Sequence, residues 1–129
     1  MNALVNVWLD DIRPAPEGWI RAYTPDEVIS HLRAGPVDAI SLDYELNLPG
    51  DPEPCGSDVL RWIERYLDEH PDYEPPAIHL HTASPFGRTE MNDILHRINA
   101  LLVRRSLRAT PTARPTRTAQ EAAGRAGRA

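Results

Sequence analysis

Apolar positions fall along the chain in short runs and in helical stripes, separated by polar or proline-rich breaks. "LVNVWL", residues 4 to 9, is an apolar run of strand length that stops at Asp10-Asp11. The prolines and glycine of "RPAPEG" mark a turn or loop. "WIRAY" then alternates apolar and polar residues and predicts a second strand. In "TPDEVISHLRAG", Thr24 is an N-cap candidate, Pro25 suits the first helical position, and Glu27 completes a capping box. Gly35-Pro36 ends that helix.

"VDAISLDYEL" predicts a third strand, and the proline-rich "NLPGDPEPCG" a loop. "SDVLRWIERYLDEH" is amphipathic, with Val59, Leu60, Ile63, Tyr66 and Leu67 on one side, and Pro71 stops it. "AIHLHTA" predicts a fourth strand. Met91, Ile94, Leu95, Ile98, Leu101 and Leu102 recur at helical spacing and predict a last helix. Strands alternating with helices imply an α/β domain with a parallel sheet covered on both faces. The first two strands depart from this, because about ten residues between them are too few for a helical crossover. A loop or a very short helix is expected there.

After Val103 the pattern dissolves into Ala, Thr, Arg, Pro and Gly with little to bury. Residues 1–103 are therefore expected to form the domain and residues 104–129 a disordered, solvated tail with no part in the chemistry. Charge marks the same boundary. Seven arginines face eighteen carboxylates up to Val103, while seven arginines face a single glutamate after it, and there is no lysine anywhere. The acidic body excludes broad binding of duplex nucleic acid through the folded domain, so any anion must be gripped locally.

A chain of 129 residues with 41% hydrophobic residues is long enough for a real core. Its one cysteine, Cys55, forms no internal disulfide, fits a reducing compartment and is read as incidental. The N-terminus lacks a basic start and meets two aspartates within eleven residues, unlike a signal peptide or membrane span. A soluble cytoplasmic protein without a membrane partner is expected. Trp8, Trp19 and Trp62 are expected in the core or a pocket wall, and His31, His70 and His96 at the surface. The sequence leaves the oligomeric state open.

In open parallel sheets the reactive crevice lies at the carboxyl ends of the strands. Here strand one ends in Asp10 and Asp11, strand three in Asp43, and strand four in His79, His81 and Thr82. Strand side chains alternate, so His79 and His81 point the same way. Clustered carboxylates suit Mg²⁺ or Mn²⁺. Imidazoles suit acid–base work. Arg13 and Arg88 are candidate phosphate donors, Thr82 or Ser84 adds a hydroxyl, and the start of the last helix offers backbone N–H groups. There is no phosphate loop, GxGxxG, HExxH or CxxC pair.

"VNVWLDD", "VDAISLDYEL" and "IHLHTA" resemble strands one, three and four of response-regulator receiver domains. That likeness implies that Asp10 and Asp11 match the metal-binding acidic pair, Asp43 the phosphoacceptor, and Thr82-Ala83 the hydroxyl-small pair. The chain departs from receivers in lacking lysine, a fifth strand and the first helix, and in placing histidines on strand four. With these departures, "WLDDIRPAPEGW", "SLDYEL" and "HLHTASPFG" resemble the cyclic-phosphate processing receiver family over roughly residues 4–102. The resemblance implies a receiver-like (flavodoxin-like) three-layer α/β fold with a mostly parallel four-stranded sheet. It also gives Asp10, Asp11 and Asp43 a metal or acid–base role, and His79 and His81 a part in phosphoester chemistry.

The combined expectation is a metal-assisted phosphoesterase acting on a cyclic phosphate of a nucleotide or RNA end. One histidine would activate water and the other protonate the leaving oxygen, in an order the sequence leaves open. Two rivals use the same residues: a cyclic-nucleotide-binding module without turnover, and a degenerate receiver that still accepts phosphate at Asp43.

Overall fold

The computed structural model describes residues 4–112. In chain order it contains β1 (Asn6–Leu9), β2 (Ile20–Ala22), α1 (Pro25–Ala34), β3 (Ala39–Leu42), α2 (Ser57–Glu69), β4 (Ala77–Leu80) and α3 (Pro85–Thr112). Each predicted element is present, with strands trimmed to the residues that pair.

Local chemistry sets the helix starts. Thr24 has extended backbone angles, and its hydroxyl accepts the Glu27 N–H at 3.1 Å. The Glu27 carboxylate reaches back to the Tyr23 N–H at 2.6 Å, one residue before the cap, closing the first turn from both sides. At α3, Ser84 Oγ accepts the Gly87 N–H at 3.0 Å.

The sheet has the order β2-β1-β3-β4 and every pair is parallel. Val7 and Leu9 of β1 and Ile40 and Leu42 of β3 are fully buried on one face. Val28 of α1, Val59, Leu60 and Ile63 of α2, and Met91 of α3 are buried equally completely. Each such aliphatic side chain contributes roughly 1.5–3 kcal/mol by leaving water. Pairs of Arg61 with Glu90 and Arg97 with Glu64 tie α2 to α3, and α1 packs on both α2 and β1.

The side on which each connection runs follows from handedness. β2–α1–β3 and β3–α2–β4 cross the sheet in one direction, so right-handed crossovers put both helices on one side. The β1–β2 connection runs the other way and passes over the opposite face. It contains no helix: Trp19 N–H closes a turn on Pro16 O at 3.1 Å, with Gly18 at φ 87°, a left-handed conformation that favours glycine. The second cover predicted for the sheet is thus this loop, whose Arg13 carbonyl accepts the Trp8 indole N–H at 3.1 Å. Beyond the loop, the face carries Asn6, Ala39, Ala77 and His79, and both Ala77 and His79 are exposed.

One compact unit ends at Ile98. α3 itself runs on to Thr112, past the point where apolar periodicity ends. Arg, Leu and Ala in "RRSLRA" are strong helix formers, so the helix continues although none of residues 103–108 is buried. The remainder of the predicted tail, residues 113–129, lies outside the described residues. No helix among the described residues is long and apolar enough to cross a membrane.

Candidate functional site

Three strand tips meet at the carboxyl edge of the sheet. Asp10 follows β1 directly and is only 1% exposed; Asp43 follows β3 and is 8% exposed. Backbone bonds hold both tips in line with their neighbours: Asp10 N–H to Ala22 O at 3.1 Å, Asp43 N–H to Leu9 O at 3.0 Å, and His81 N–H to Leu42 O at 3.0 Å. Carboxylate oxygens of Asp10, Asp11 and Asp43 come within 4.8 Å of one another.

Asp10 is the best-anchored of the three. Its Oδ1 accepts the N–H groups of Ile12 and Arg13, each at 2.9 Å, and so shapes the turn after β1. Its Oδ2 lies 3.0 Å from His81 Nε2 and 3.8 Å from Arg13 Nε. Burial pushes the Asp10 carboxyl up, but the two backbone donors and His81 outweigh it and hold the group below the ordinary carboxylate range. Asp10 is therefore an anion at neutral pH.

His81 is gripped at both ring nitrogens, with Nδ1 2.7 Å from Ser41 Oγ. Burial pushes the imidazole down, Asp10 pulls it up, and the net shift is downward, so the ring is neutral near pH 7. The partners then assign the tautomer: Nε2–H donates to Asp10, and Nδ1 accepts the Ser41 hydroxyl. Trp8 lies flat on the ring, with centroids 3.8 Å apart and planes within 4° of parallel. Trp19 meets Trp8 edge-on at 6.1 Å.

Asp11 and Asp43 complete the cluster. The Asn47 amide donates to Asp11 Oδ2 at 2.8 Å from a backbone at φ 53°, a left-handed conformation asparagine tolerates. Asp11 Oδ1 is buried and has no hydrogen-bond partner among the described residues. Asp43 Oδ1 accepts the Tyr44 N–H at 2.8 Å. Close packing holds this corner: a Cβ on Gly56 would overlap the Asp43 carbonyl oxygen, and one on Gly87 would overlap the Tyr44 ring. Three converging carboxylates, one with an orphaned buried oxygen, fit a small hard cation such as Mg²⁺ or Mn²⁺. Asp10, Asp11 and Asp43 are the residues that would hold it.

The remaining sequence candidates divide. Arg13 Nη1 donates to His81 O at 2.7 Å and Arg88 Nη2 to Thr82 O at 3.0 Å, which brings both guanidinium groups to the rim of the cluster. Thr82 Oγ1 accepts the Ser84 N–H at 3.1 Å. The hydroxyl oxygens of Thr82 and Ser84 are thus engaged in shaping the start of α3. His79 stays outside the hydrogen-bonded cluster. It lies two residues before His81, exposed on the same face of an edge strand, and among the described residues its side chain makes no hydrogen bond, ion pair or ring contact.

Residues 5–97 match the family model of the cyclic-phosphate processing receiver domain. The chain belongs to that family. The match covers the whole parallel sheet, α1, α2 and the part of α3 that packs in the compact unit. No curated protein matches the chain. Within this receiver-like domain the acidic cluster has the donor set for a metal ion, and the segment just after β4 sets an imidazole beside it.

Sequence reasoning missed Ser41 and Asn47, and it assigned Trp8 no specific role. The period of two held the signal for two of these: Trp8 lies two residues before Asp10, and Ser41 two before Asp43, so both share the face of the carboxylates. Nothing in the local pattern marks Asn47, whose contact with Asp11 is set by the path of a long loop.

Proposed function

We propose that this cyclic-phosphate processing receiver domain is a metal-assisted phosphoesterase. It opens a 2′,3′-cyclic phosphate on a nucleotide or at an RNA end. The observation that carries this reading is the meeting of three carboxylates within 4.8 Å beside an anchored imidazole. When bound to those carboxylates, a divalent cation supplies positive charge against the phosphate oxygens. Arg13 and Arg88 have each spent a donor on a strand-end carbonyl, and their other N–H groups orient the phosphate. Water attacks phosphorus, one P–O bond to ribose breaks, and the freed ribose oxygen takes a proton, leaving a phosphate monoester. His79, with an exposed ring and no internal partner, is the group available to move that proton. His81, held at both nitrogens, is a positioning residue that keeps Asp10 oriented.

Incubation of the full-length protein with 2′,3′-cyclic nucleotides and with cyclic dinucleotides, with Mg²⁺ or Mn²⁺ and with chelator, tests the proposal. Conversion of a 2′,3′-cyclic nucleotide to a monoester, lost on chelation, is expected. Binding without conversion would instead support a sequestering module, a reading favoured by the double engagement of the His81 ring, which leaves it no free nitrogen.

A further inference from the structure

We propose that a cavity beside Asp11 holds the base of the substrate and selects guanine, with Asp26 as the residue that binds its edge; this rests on the cyclic-phosphate reading above. The cavity measures about 400 Å³ and lies between the starts of α1 and α2 and the loop that follows β3. Small-molecule sites run from roughly 300 to 1,000 Å³, and this one is toward the end that suits a single nucleoside. Local sequence makes its walls. Pro25 is the first residue of α1, and "NLPGDPEP" brings Leu48, Pro49 and Pro54 to the same hollow. A proline ring fixes its own backbone angle, so these apolar walls stand without a ligand.

Position ties the cavity to the phosphate site. Leu9 pairs with Ala22, and the Asp10 N–H continues that ladder to Ala22 O, so Asp11 is level with Thr24 on the cavity wall. Neighbouring strands lie about 5 Å apart. From the other side, Leu48 directly follows Asn47, whose amide bonds Asp11 at 2.8 Å. Asp11 also continues the alternation of Val7 and Leu9, the face on which α1 and α2 lie, whereas Asp10 and Asp43 belong to the opposite one. A nucleotide held by its phosphate at the three carboxylates therefore has the cavity within the span of its own sugar.

The polar groups of the wall identify the base. Two carboxylates line the cavity, those of Asp26 and Asp58. Both oxygens of Asp58 are engaged: one accepts the Cys55 N–H at 3.0 Å and the other an Arg61 N–H at 2.9 Å. Asp26 has no hydrogen-bond or ion-pair partner among the described residues. A carboxylate offers acceptors only, two of them side by side. Guanine alone among the four RNA bases carries two adjacent donors on one edge, N1–H and the 2-amino group, and so matches that pair. Adenine and cytosine set a ring acceptor beside their amino group, and uracil flanks its one N–H with carbonyls, so each would place an acceptor against the carboxylate.

The test measures binding to the full-length protein with Mn²⁺ by calorimetry. Its ligands are the 3′-monophosphates of guanosine, inosine and adenosine, which carry no cyclic ester to be turned over. At least about tenfold tighter binding of the guanosine compound than of the adenosine one is expected, with inosine, which lacks the 2-amino group, between them. Asp26→Ala, at an exposed helix position, should bring guanosine binding down to the adenosine level and leave adenosine binding as it is. Equal affinity for the guanosine and adenosine compounds, a preference that survives Asp26→Ala, or no binding of any of the three overturns the proposal. A parallel assay with the 2′,3′-cyclic phosphates of guanosine and adenosine keeps the two readings apart. If the guanosine preference is present but both cyclic compounds are recovered unchanged by chromatography, the base site stands and the phosphoesterase reading falls. If both are hydrolysed with the same kcat/KM, the phosphoesterase stands and the base site falls.

Discussion

Trp8 lies flat on His81, and the two rings come from strands that are not neighbours in the sheet. The imidazole spans β3 from β4 to reach Asp10 on the far side, meeting Ser41 on the way. The indole below leaves the ring no freedom to tilt. Stacked aromatic pairs add about 0.5–1.5 kcal/mol beyond burial. Trp8→Leu should therefore lower stability modestly in urea titrations and reduce kcat for a cyclic nucleotide more than it raises KM, because the Asp10 carboxylate loses its fixed partner. Unchanged kcat would mean that His81 needs no such clamp.

The two histidines should separate cleanly. His81→Ala leaves a buried carboxylate and a buried hydroxyl short of partners, which costs about 1–3 kcal/mol of folding stability. His79→Ala removes an exposed ring without a hydrogen-bond or ion-pair partner among the described residues and should change stability by no more than about 0.5 kcal/mol, yet abolish turnover. Equilibrium unfolding and a product assay on the same two variants check both halves.

Acid should weaken the fold in two stages. His81 is held below its ordinary value of 6.5 in the folded state, so below that pH the unfolded chain binds a proton that the native ring resists. Stability falls as pH drops from about 6.5 through the native His81 value. Asp10 is likewise held below its ordinary 3.8, so its contribution is present above that value and is lost as pH falls further. Urea midpoints measured along a pH series should show both losses, and His81→Gln should erase the first while leaving the second.

Asp11 offers a test of the cation that needs no substrate. Its Oδ1 is buried without a partner beside two further carboxylates. Asp11→Asn relieves repulsion in the absence of metal and removes a hard ligand in its presence. In chelator the variant should melt at or above the wild-type temperature; with Mn²⁺ it should lose the stabilisation that wild type gains, which for ligand at a hundred times its Kd is about 2.7 kcal/mol. Equal metal-induced shifts in the two proteins would place the cation elsewhere.

Gly56→Ala should be among the most damaging small substitutions in the domain. The added carbon would overlap the Asp43 carbonyl oxygen, a backbone atom that cannot swing aside as a side-chain end can. A loss of about 1–3 kcal/mol is expected, together with weaker Mn²⁺ binding as the β3 tip shifts. Calorimetric melting with and without Mn²⁺ measures both.

Much of this was legible in the chain. Val7 and Leu9 alternate with Trp8 and Asp10 in one short run, which predicts both the buried face and the direction of the first carboxylate. Thr24 and Glu27 mark the start of α1 within a residue. The end of α3 was not legible, because helix-forming residues can prolong a helix without apolar periodicity. The separate fates of His79 and His81 were hidden for a related reason. Alternation places both on one face, but only the register of the strands shows that His81 lies level with Asp43 and Asp10 while His79 lies level with Ser41 and Trp8.

Asp10 serves two masters. The same carboxylate that anchors the imidazole also closes the turn at Ile12 and Arg13. Replacing it is therefore a poor inactive control, since any loss of turnover would be mixed with a loosened loop. Asp11, whose side chain bonds only to Asn47 among the described residues, is the position where chemistry can be switched off with the least disturbance to the scaffold.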